Sequence, residues 1–187
     1  MRQAGAGLAL LALAGGVAAA PDRPNLLPTR DVDITYRIAR PDEPRLRERV
    51  RWKAADELER VDIPGGAISI FDHKTHYVTV LTSATHSYLK LRSRARGPVE
   101  PARDAPLTRG GEATVAGLGC TIWNWTNPED QAPYSACVTE DGVPLRLREN
   151  GQTVAEAVSV HYGKQDPKLF DVPSGYEPSV ASEGGMP

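Results

Sequence analysis

Asp72, His73 and His76 form the tightest group of ionisable residues in the chain that could bind a metal ion. A zinc site needs three or four ligands that converge on one point. The two histidines lie on either side of an expected turn, so their side chains need not converge. The same residues suit a polar β-turn in which Asp72 accepts hydrogen bonds from backbone amides. We therefore favour the turn and predict no metal ligands.

Patterns typical of enzymes are missing elsewhere in the sequence. No serine lies in a Gly-x-Ser-x-Gly elbow, and no phosphate-binding glycine loop precedes a predicted helix. Glu140 and Asp141 are adjacent carboxylates, but strand alternation directs them apart. We predict no catalytic residues, no enzyme activity and no cofactor. A hydrolase whose site combines His73, His76 and an acid is the weakest alternative.

Cys120 and Cys137 are the only cysteines, and the chain begins with a segment typical of an export signal. In residues 1–20 a positive Arg2 precedes an apolar run and a small-residue end, which predicts a cleaved signal peptide. Pro21 favours cleavage after Ala19. The apolar run is shorter than the roughly 20 residues that span a bilayer. No cysteine lies near the cleavage site, so we predict a periplasmic protein without a lipid anchor or membrane span, with both cysteines in a disulfide.

Composition predicts one turn-rich β domain. The net charge of −2 gives no overall attraction to nucleic acid, and we predict no nucleic-acid partner. There are 17 glycines and 16 prolines. We expect an extended lead-in over 21–30, a single antiparallel β domain over 31–177 and a disordered tail over 178–187.

Alternation of apolar and polar residues predicts the first strands. Val32 to Ile38 alternates, and so does the run 46–54, in which Val50 and Trp52 share one face. The other face of that run carries a basic row made of Arg47, Arg49, Arg51 and Lys53. A basic row can bind polyanions, but neutralisation by nearby carboxylates is the favoured explanation. Further strands are predicted at 67–71, 77–81 and 88–91, followed by a loop over 93–111.

Two turn dipeptides predict a meander in the carboxy-terminal half. Asp141-Gly142 and Asn150-Gly151 are both typical of two-residue hairpin turns. The first turn would place Val138 opposite Leu145 and Ala136 opposite Leu147. The second would place Leu147 opposite Val154 and Leu145 opposite Glu156. The two turns thus predict the same apolar face.

The cysteine pair predicts the register of the preceding strand. With Cys120 directly opposite Cys137, Trp123 and Trp125 share a face with Val138, and the disulfide lies on the other face. Closing this loop would contribute about 3 kcal/mol, mainly by restricting the unfolded chain.

Glu156 and the tryptophans leave two interpretations open. A lone carboxylate on an apolar face could orient the polar head of a ligand, but pairing with Arg146 or Arg148 after a register slip is favoured. The tryptophans fill the core by default, or line a pocket if the sheet is curved and lacks helices. The predicted ligand face comprises Trp52, Trp123, Trp125, Val138, Leu145, Leu147 and Glu156.

Three segments resemble a family of exported proteobacterial proteins of unknown function. They are Gly-Glu-Ala-Thr-Val-Ala-Gly-Leu-Gly-Cys (111–120), Ala-Cys-Val-Thr-Glu-Asp-Gly-Val (136–143) and Leu-Phe-Asp-Val-Pro-Ser-Gly-Tyr (169–176). That family is similar to the β-sheet domains of the lipoprotein-localisation carriers. The resemblance implies an open half-barrel made of one curved antiparallel sheet, with an apolar face for acyl chains. Unlike the carriers, this sequence shows no obvious lid helices.

We therefore expect a mainly β, non-enzymatic periplasmic protein that binds a lipid or another apolar ligand. The alternative is a structural protein that docks on an envelope protein through a sheet edge or through the basic row.

Overall fold

The computed structural model describes residues 23–39, 46–93, 101 and 105–179. Strands account for 56% of the structure and helix for 5%. The described part contains two short 3-10 helices, Ala54–Asp56 and Pro167–Phe170, and no α-helix. The strands are Val32–Ile38 (β1), Leu46–Lys53 (β2), Leu58–Asp62 (β3), Ile68–Asp72 (β4), Tyr77–Thr82 (β5), Ser87–Arg92 (β6), Thr108–Val115 (β7), Leu118–Thr126 (β8), Pro133–Val138 (β9), Pro144–Glu149 (β10), Gln152–Tyr162 (β11) and Glu177–Pro178 (β12).

All twelve strands form one sheet in the order β12-β6-β5-β4-β3-β2-β1-β11-β10-β9-β8-β7. Every neighbouring pair is antiparallel except β12 and β6, which are parallel. Strands β2 to β6 form one meander and β7 to β11 form another, and β1 joins them by pairing with both β2 and β11. The sheet does not close into a barrel. The expected mainly β class, with a single open sheet and little helix, is confirmed.

The half of the sheet that ends at β7 curls over its own face. Strand β7 contacts β11, although β8, β9 and β10 separate them in the sheet order. Val115 of β7 therefore packs with Val32 and Ile34 of β1 and with Leu145 of β10. This first cluster also contains Trp52 and the disulfide, and it forms the main core.

Two further clusters lie outside that core. Trp123, Trp125 and Leu147 form the second one, which Leu26 of the lead-in covers. The third cluster joins Ile70 and Leu81 to Phe170, so the segment after β11 packs back on the sheet.

The lead-in and Asp31, which follows it, are attached by hydrogen bonds between side chains and backbone groups. The indole Nε1 of Trp52 donates a hydrogen bond to the Pro28 carbonyl at 2.6 Å. The carboxylate of Asp31 accepts hydrogen bonds from the amides of Ala54 and Gln165, at 2.8 and 3.0 Å. These contacts tie the lead-in to the end of β2 and to the segment after β11.

The turn after β9 has three residues, and the two-residue prediction was wrong. The Gly142 amide donates to the Thr139 carbonyl, and the Thr139 amide donates to the Val143 carbonyl. Gly142 has φ +94°. This combination is a three-residue hairpin loop that ends in a left-handed residue. It shifts the register by one residue, so that Val138 pairs with Pro144 and not with Leu145.

A β-bulge at Leu145 then restores the register, because Leu147 pairs with Ala136 as predicted. The bulge turns Leu145 away from the face of Leu147 and into the main core. The expectation that these two leucines share a face was therefore wrong.

The turn at Asn150-Gly151 is the predicted two-residue turn, since both residues have positive φ and Glu149 pairs with Gln152. A second bulge between Leu147 and Arg148 then pairs Leu147 with Ala155, where Val154 was predicted. Glu156 consequently lies opposite Arg146, not opposite Leu145.

The cysteine register also differs from the prediction. Cys137 pairs with Ile122, not with Cys120, and Thr121 pairs with Val138. The disulfide therefore joins diagonal neighbours, whose α-carbons are 5.4 Å apart. Strand twist brings one diagonal pair of an antiparallel ladder close enough for this bond. The disulfide and the two tryptophans of β8 still belong to different clusters, as expected.

The start of one strand and the presence of another differ from the sequence prediction. Strand β7 begins at Thr108, so 108–111 is not loop, and Gly110 and Gly111 lie where its register with β8 shifts. Strand β3 was not predicted, because all five of its residues are half-buried and neither face is clearly apolar. The predicted signal peptide, most of the predicted loop and the end of the tail lie outside the described residues.

Candidate functional site

One face of strands β3 to β6 carries a row of partly exposed apolar residues. Residues that lie directly opposite each other in an antiparallel sheet share a face. Starting from Val32 and Ile34 of β1, the pairings therefore define one continuous face across β2 to β6, here called the inner face. We call its apolar part on β3 to β6 the open face, which consists of Val61, Phe71, Val78, Val80, Leu89 and Leu91.

Exposure along the inner face increases from the core to the far edge. Val32 is 0% exposed and Trp52 is 3% exposed, because the curled half of the sheet covers them. Phe71 and Val78 are half-buried, and Leu91 at the edge is 41% exposed. The open face thus begins where the main core ends.

The opposite side of the same strands, the outer face, is covered by the chain itself. Phe170 is buried against Ile70 and Leu81, and Leu169 and Tyr176 pack beside it. Arg60 reinforces this cover by donating to the Leu169 carbonyl at 2.6 Å. Strands β3 to β6 therefore have one covered side and one apolar side that retains exposure.

A histidine–glutamate pair interrupts the inner face. His73 Nε2 lies 2.9 Å from Glu59 Oε2, and both side chains are 26% exposed. The imidazole centroid is 5.2 Å from the Trp52 ring and 6.2 Å from the Phe71 ring. The pair thus lies at the boundary between the core and the open face.

The inner face also has an acidic character near the core. Burial raises the pKa of Tyr36 well above its usual range, and the carboxylates of Glu59 and Glu48 raise it further. The Tyr36 hydroxyl donates to the Pro144 carbonyl at 2.6 Å, so it serves as a structural donor across the curl.

The basic row on the outer face of β2 is largely neutralised. Arg49 Nε donates to Asp33 Oδ1 at 2.9 Å, and this bond holds the pKa of Asp33 below its usual value despite partial burial. Arg51 pairs with Asp62, and Lys53 pairs with Asp56. The structure therefore places Arg49 and Arg51 in ordinary cross-strand ion pairs and Lys53 in a local one.

The three residues considered for metal binding form a turn. Asp72 Oδ1 accepts a hydrogen bond from the Thr75 amide at 2.9 Å, as predicted. His76 has φ +58° at the end of this turn, while His73 is held against Glu59. Within the described ranges, no three His, Cys, Asp or Glu side chains are grouped to hold a metal ion.

The structure divides the predicted ligand face between two clusters. Trp123, Trp125, Val138 and Leu147 lie together in the second cluster, while Trp52 and Leu145 lie in the main core. Each of these six is at most 9% exposed. Glu156 accepts a hydrogen bond from Arg146 Nε at 2.6 Å and lies 3.9 Å from Arg37. The favoured structural role for Glu156 fits this pairing.

Sequence reasoning missed the open face because its residues come from four short strands. Each strand contributes only one or two of them, and β3 was not predicted at all. The alternation of Val78 and Val80 and of Leu89 and Leu91 is the signal that could have indicated it.

A shallow polar cleft of about 540 Å³ lies at the end of the sheet where the lead-in meets the 139–142 turn. Tyr162 donates to Asp141 Oδ1 at 3.0 Å, and the Arg30 guanidinium lies 4.2 Å above the Tyr162 ring. The Thr29 amide donates to the Asp141 carbonyl. These contacts fasten the lead-in to the turn.

Among the residues that the structure places, no helix is both long and apolar enough to cross a bilayer.

No protein-family profile and no curated protein sequence matches the chain. Solved structures with a similar fold include an uncharacterised conserved protein from Thermus thermophilus, with a TM-score of 0.59 and 15% identity over 81% of this chain and 90% of that one. MucB in the Pseudomonas aeruginosa MucA/MucB complex gives a TM-score of 0.51 and 15% identity over 76% of this chain. This chain spans 55% of that MucB chain.

A LolA superfamily protein from Nitrosomonas europaea is also among the neighbours, at 11% identity over 78% of this chain and 90% of that one. Its TM-score of 0.36 is too low to support an argument. At these identities the likeness concerns the fold alone. The expected resemblance is thus confirmed at the level of the fold, since the chain has an open antiparallel sheet and shares its fold with the uncharacterised protein and with MucB.

Proposed function

We propose that this protein is a non-enzymatic periplasmic protein that binds a lipid or another apolar ligand on the open face. The observation that carries the proposal is the difference between the two sides of β3 to β6. The chain covers the outer side with Phe170, whereas Leu91 and its neighbours on the inner side keep part of their surface in water. Ser69 of β4 is the small polar residue on this face between Val61 and Val80, and the other positions of the open face are apolar. An exposed, mainly apolar surface of this kind is typical of a binding site.

The size of the open face suits a single hydrocarbon chain. It spans four neighbouring strands, and adjacent strands lie about 4.8 Å apart. An extended acyl chain laid across the strands would contact residues of each strand in turn, from Val61 to Leu91. Burying apolar area at about 25 cal/mol per Å² provides the driving force.

The ligand contacts predicted from the sequence enter this proposal in a different role. Trp52 pairs with Glu59 and so lies beside the open face. Of the seven residues of the predicted ligand face, it is the one that a bound ligand would approach. The other five apolar residues and the Arg146–Glu156 pair support the curled half of the sheet. Ligand contact at those positions stays a prediction.

The proposal is tested by native mass spectrometry of the protein purified from cells in mild, detergent-free buffer. We expect a second mass peak, displaced by the mass of one lipid, that disappears after organic extraction. The Leu91→Asp variant should show a weaker peak. A ligand-free mass in every preparation would contradict the proposal.

The second candidate is an envelope protein that docks through a sheet edge. The observation in its favour is that the chain already adds a strand to one edge, since β12 pairs in parallel with Ser87 and Tyr88 of β6. An extended segment of a partner could continue that pairing along Leu89 to Arg92. Docking through the basic row is less well supported, because Arg49, Arg51 and Lys53 are already paired.

Crosslinking in cells separates the two candidates. A photoreactive side chain in place of Lys90 should yield one reproducible protein adduct if the edge of β6 docks on a partner. Lipid adducts from the same probe in place of Leu91, which lies on the open face, without a protein adduct from Lys90, would support the first candidate instead.

A further inference from the structure

The charged residues of β1 to β6 are segregated between the two faces of the sheet. Every lysine and arginine of these described strands lies on the outer face, where pairings such as Arg51 with Arg60 and Thr79 with Lys90 place them. The inner face of the same strands carries two carboxylates, Glu48 and Glu59. The surface beside the open face is therefore apolar and acidic.

Glu59 occupies the position where this acidic character meets the open face. Glu59 pairs with Phe71 of β4, which pairs with Val78 of β5. Val78 pairs with Leu91 of β6, so these four residues form one row across the sheet. A hydrocarbon chain on that row would end at the Glu59–His73 pair. Each side chain of the pair is 26% exposed, so a ligand that covers the pair must replace the water that hydrates these two side chains.

Resting on the proposed function, we propose that the ligand of the open face is an amphiphile with a cationic amine head, which Glu59 receives beside His73. A ligand that covers Glu59 removes water from the lone pairs of the carboxylate that His73 does not contact, and an ammonium group at hydrogen-bond distance replaces that water. An ionised carboxylate has capacity for about four hydrogen bonds, and His73 uses one side of it.

An anionic head is disfavoured at the same place. A carboxylate or phosphate head would lie next to the Glu59 carboxylate, and no lysine or arginine of the described strands shares that face. Like charges that are brought together repel, and the repulsion is stronger where the bound chain excludes water. An uncharged hydroxyl head avoids the repulsion but lacks the charge-assisted bond. Affinity should therefore fall from amine to alcohol to acid.

The experiment compares dodecylamine and dodecanoate, each below its micelle concentration, with dodecanol below its solubility limit, by calorimetry at neutral pH and low ionic strength. We expect dodecylamine to bind at least about fivefold more tightly than dodecanoate, with dodecanol between them. Added salt should reduce this ratio, because it screens the interaction. Equal or tighter binding of dodecanoate would overturn the inference but leave the proposed function intact. Failure of all three probes to bind would overturn both.

Two variants locate the head site. Glu59→Gln keeps the size of the side chain and should abolish the preference for the amine while leaving dodecanol affinity nearly unchanged. Glu129→Gln removes an exposed carboxylate from the loop before β9 and should leave the preference intact. A preference that survives Glu59→Gln, or that disappears in Glu129→Gln, overturns the assignment. The salt dependence of the unmodified protein provides a test that needs no variant.

Discussion

The carbonyl oxygen of Leu27 lies 2.7 Å from the position that a β-carbon on Gly142 would occupy. This close approach lets the lead-in run directly over the turn between β9 and β10. Gly142 also has φ +94°, which side chains rarely adopt. One residue type therefore meets two requirements, a left-handed backbone and the absence of a side chain against the lead-in.

We predict that Gly142→Ala destabilises the protein more than Gly151→Ala does. Gly151 has φ +76° and no atom within 4 Å of its added β-carbon, so its substitution introduces backbone strain alone. That strain should lower the free energy of unfolding by about 1–2 kcal/mol. Gly142→Ala should lower it by at least about 1 kcal/mol more, because the lead-in must move. Urea unfolding measures both values, and equal losses would show that the lead-in is not held at Gly142.

We predict that Leu91→Asp weakens ligand binding without changing stability. Leu91 is 41% exposed at the edge of the open face, so the unliganded fold depends little on it. A charged carboxylate at this position should reduce dodecanol affinity about tenfold, since losing the burial of a leucine costs about 1.5 kcal/mol.

Val172→Asp is the matched control for Leu91→Asp. Val172 is 38% exposed but lies in the segment that covers the outer face. Its substitution should leave dodecanol affinity unchanged. If both variants lose affinity equally, the site is not the open face. A large drop of the unfolding midpoint in Leu91→Asp would show that the residue belongs to the core.

The sequence predicts most strands of this sheet but not the details that place side chains on one face or the other. Alternation in Val32 to Ile38 is enough to find β1, because one side of that strand is fully buried. Leu145 shows where such reasoning fails. A three-residue turn shifts β10 by one residue, and the bulge at Leu145 shifts it back. Both devices are local backbone choices that the residue pattern does not reveal, yet together they decide which cluster Leu145 joins.

The open face could not be predicted from the sequence for a related reason. Whether Phe71 or Val78 is exposed depends on how far the sheet curls and on which side the segment 167–178 packs. Both are long-range properties. The pairing of Glu156 with Arg146, by contrast, was foreseen as the consequence of a register slip, because an unpaired carboxylate on an apolar face is costly.

We predict that loss of the disulfide destabilises the fold without abolishing it. Cys120 and Cys137 are separated by 17 positions, and their bond closes a loop between β8 and β9. Restricting the unfolded chain in this way contributes about 3 kcal/mol. The double variant Cys120→Ala with Cys137→Ala should lose about that amount in urea unfolding. The reduced unmodified protein should show a similar loss, and an unchanged midpoint in both would contradict the prediction.

We predict that Asp33 contributes to the acid sensitivity of the fold. The Arg49 guanidinium donates hydrogen bonds to Asp33 and holds its pKa in the folded protein below its usual value, although burial opposes the effect. A carboxyl with a depressed folded pKa adds stability above its unfolded pKa of about 3.9 and loses it as the pH falls through the folded value. Asp33→Asn should therefore lower the free energy of unfolding at neutral pH. The difference in this free energy between the variant and the unmodified protein should narrow below about pH 4. Urea unfolding at neutral and acidic pH measures that difference.

Glu129→Gln, which changes an exposed loop carboxylate, should show no comparable narrowing. If the loss of unfolding free energy in Asp33→Asn stays constant or grows on acidification, the Asp33–Arg49 pair does not have this role.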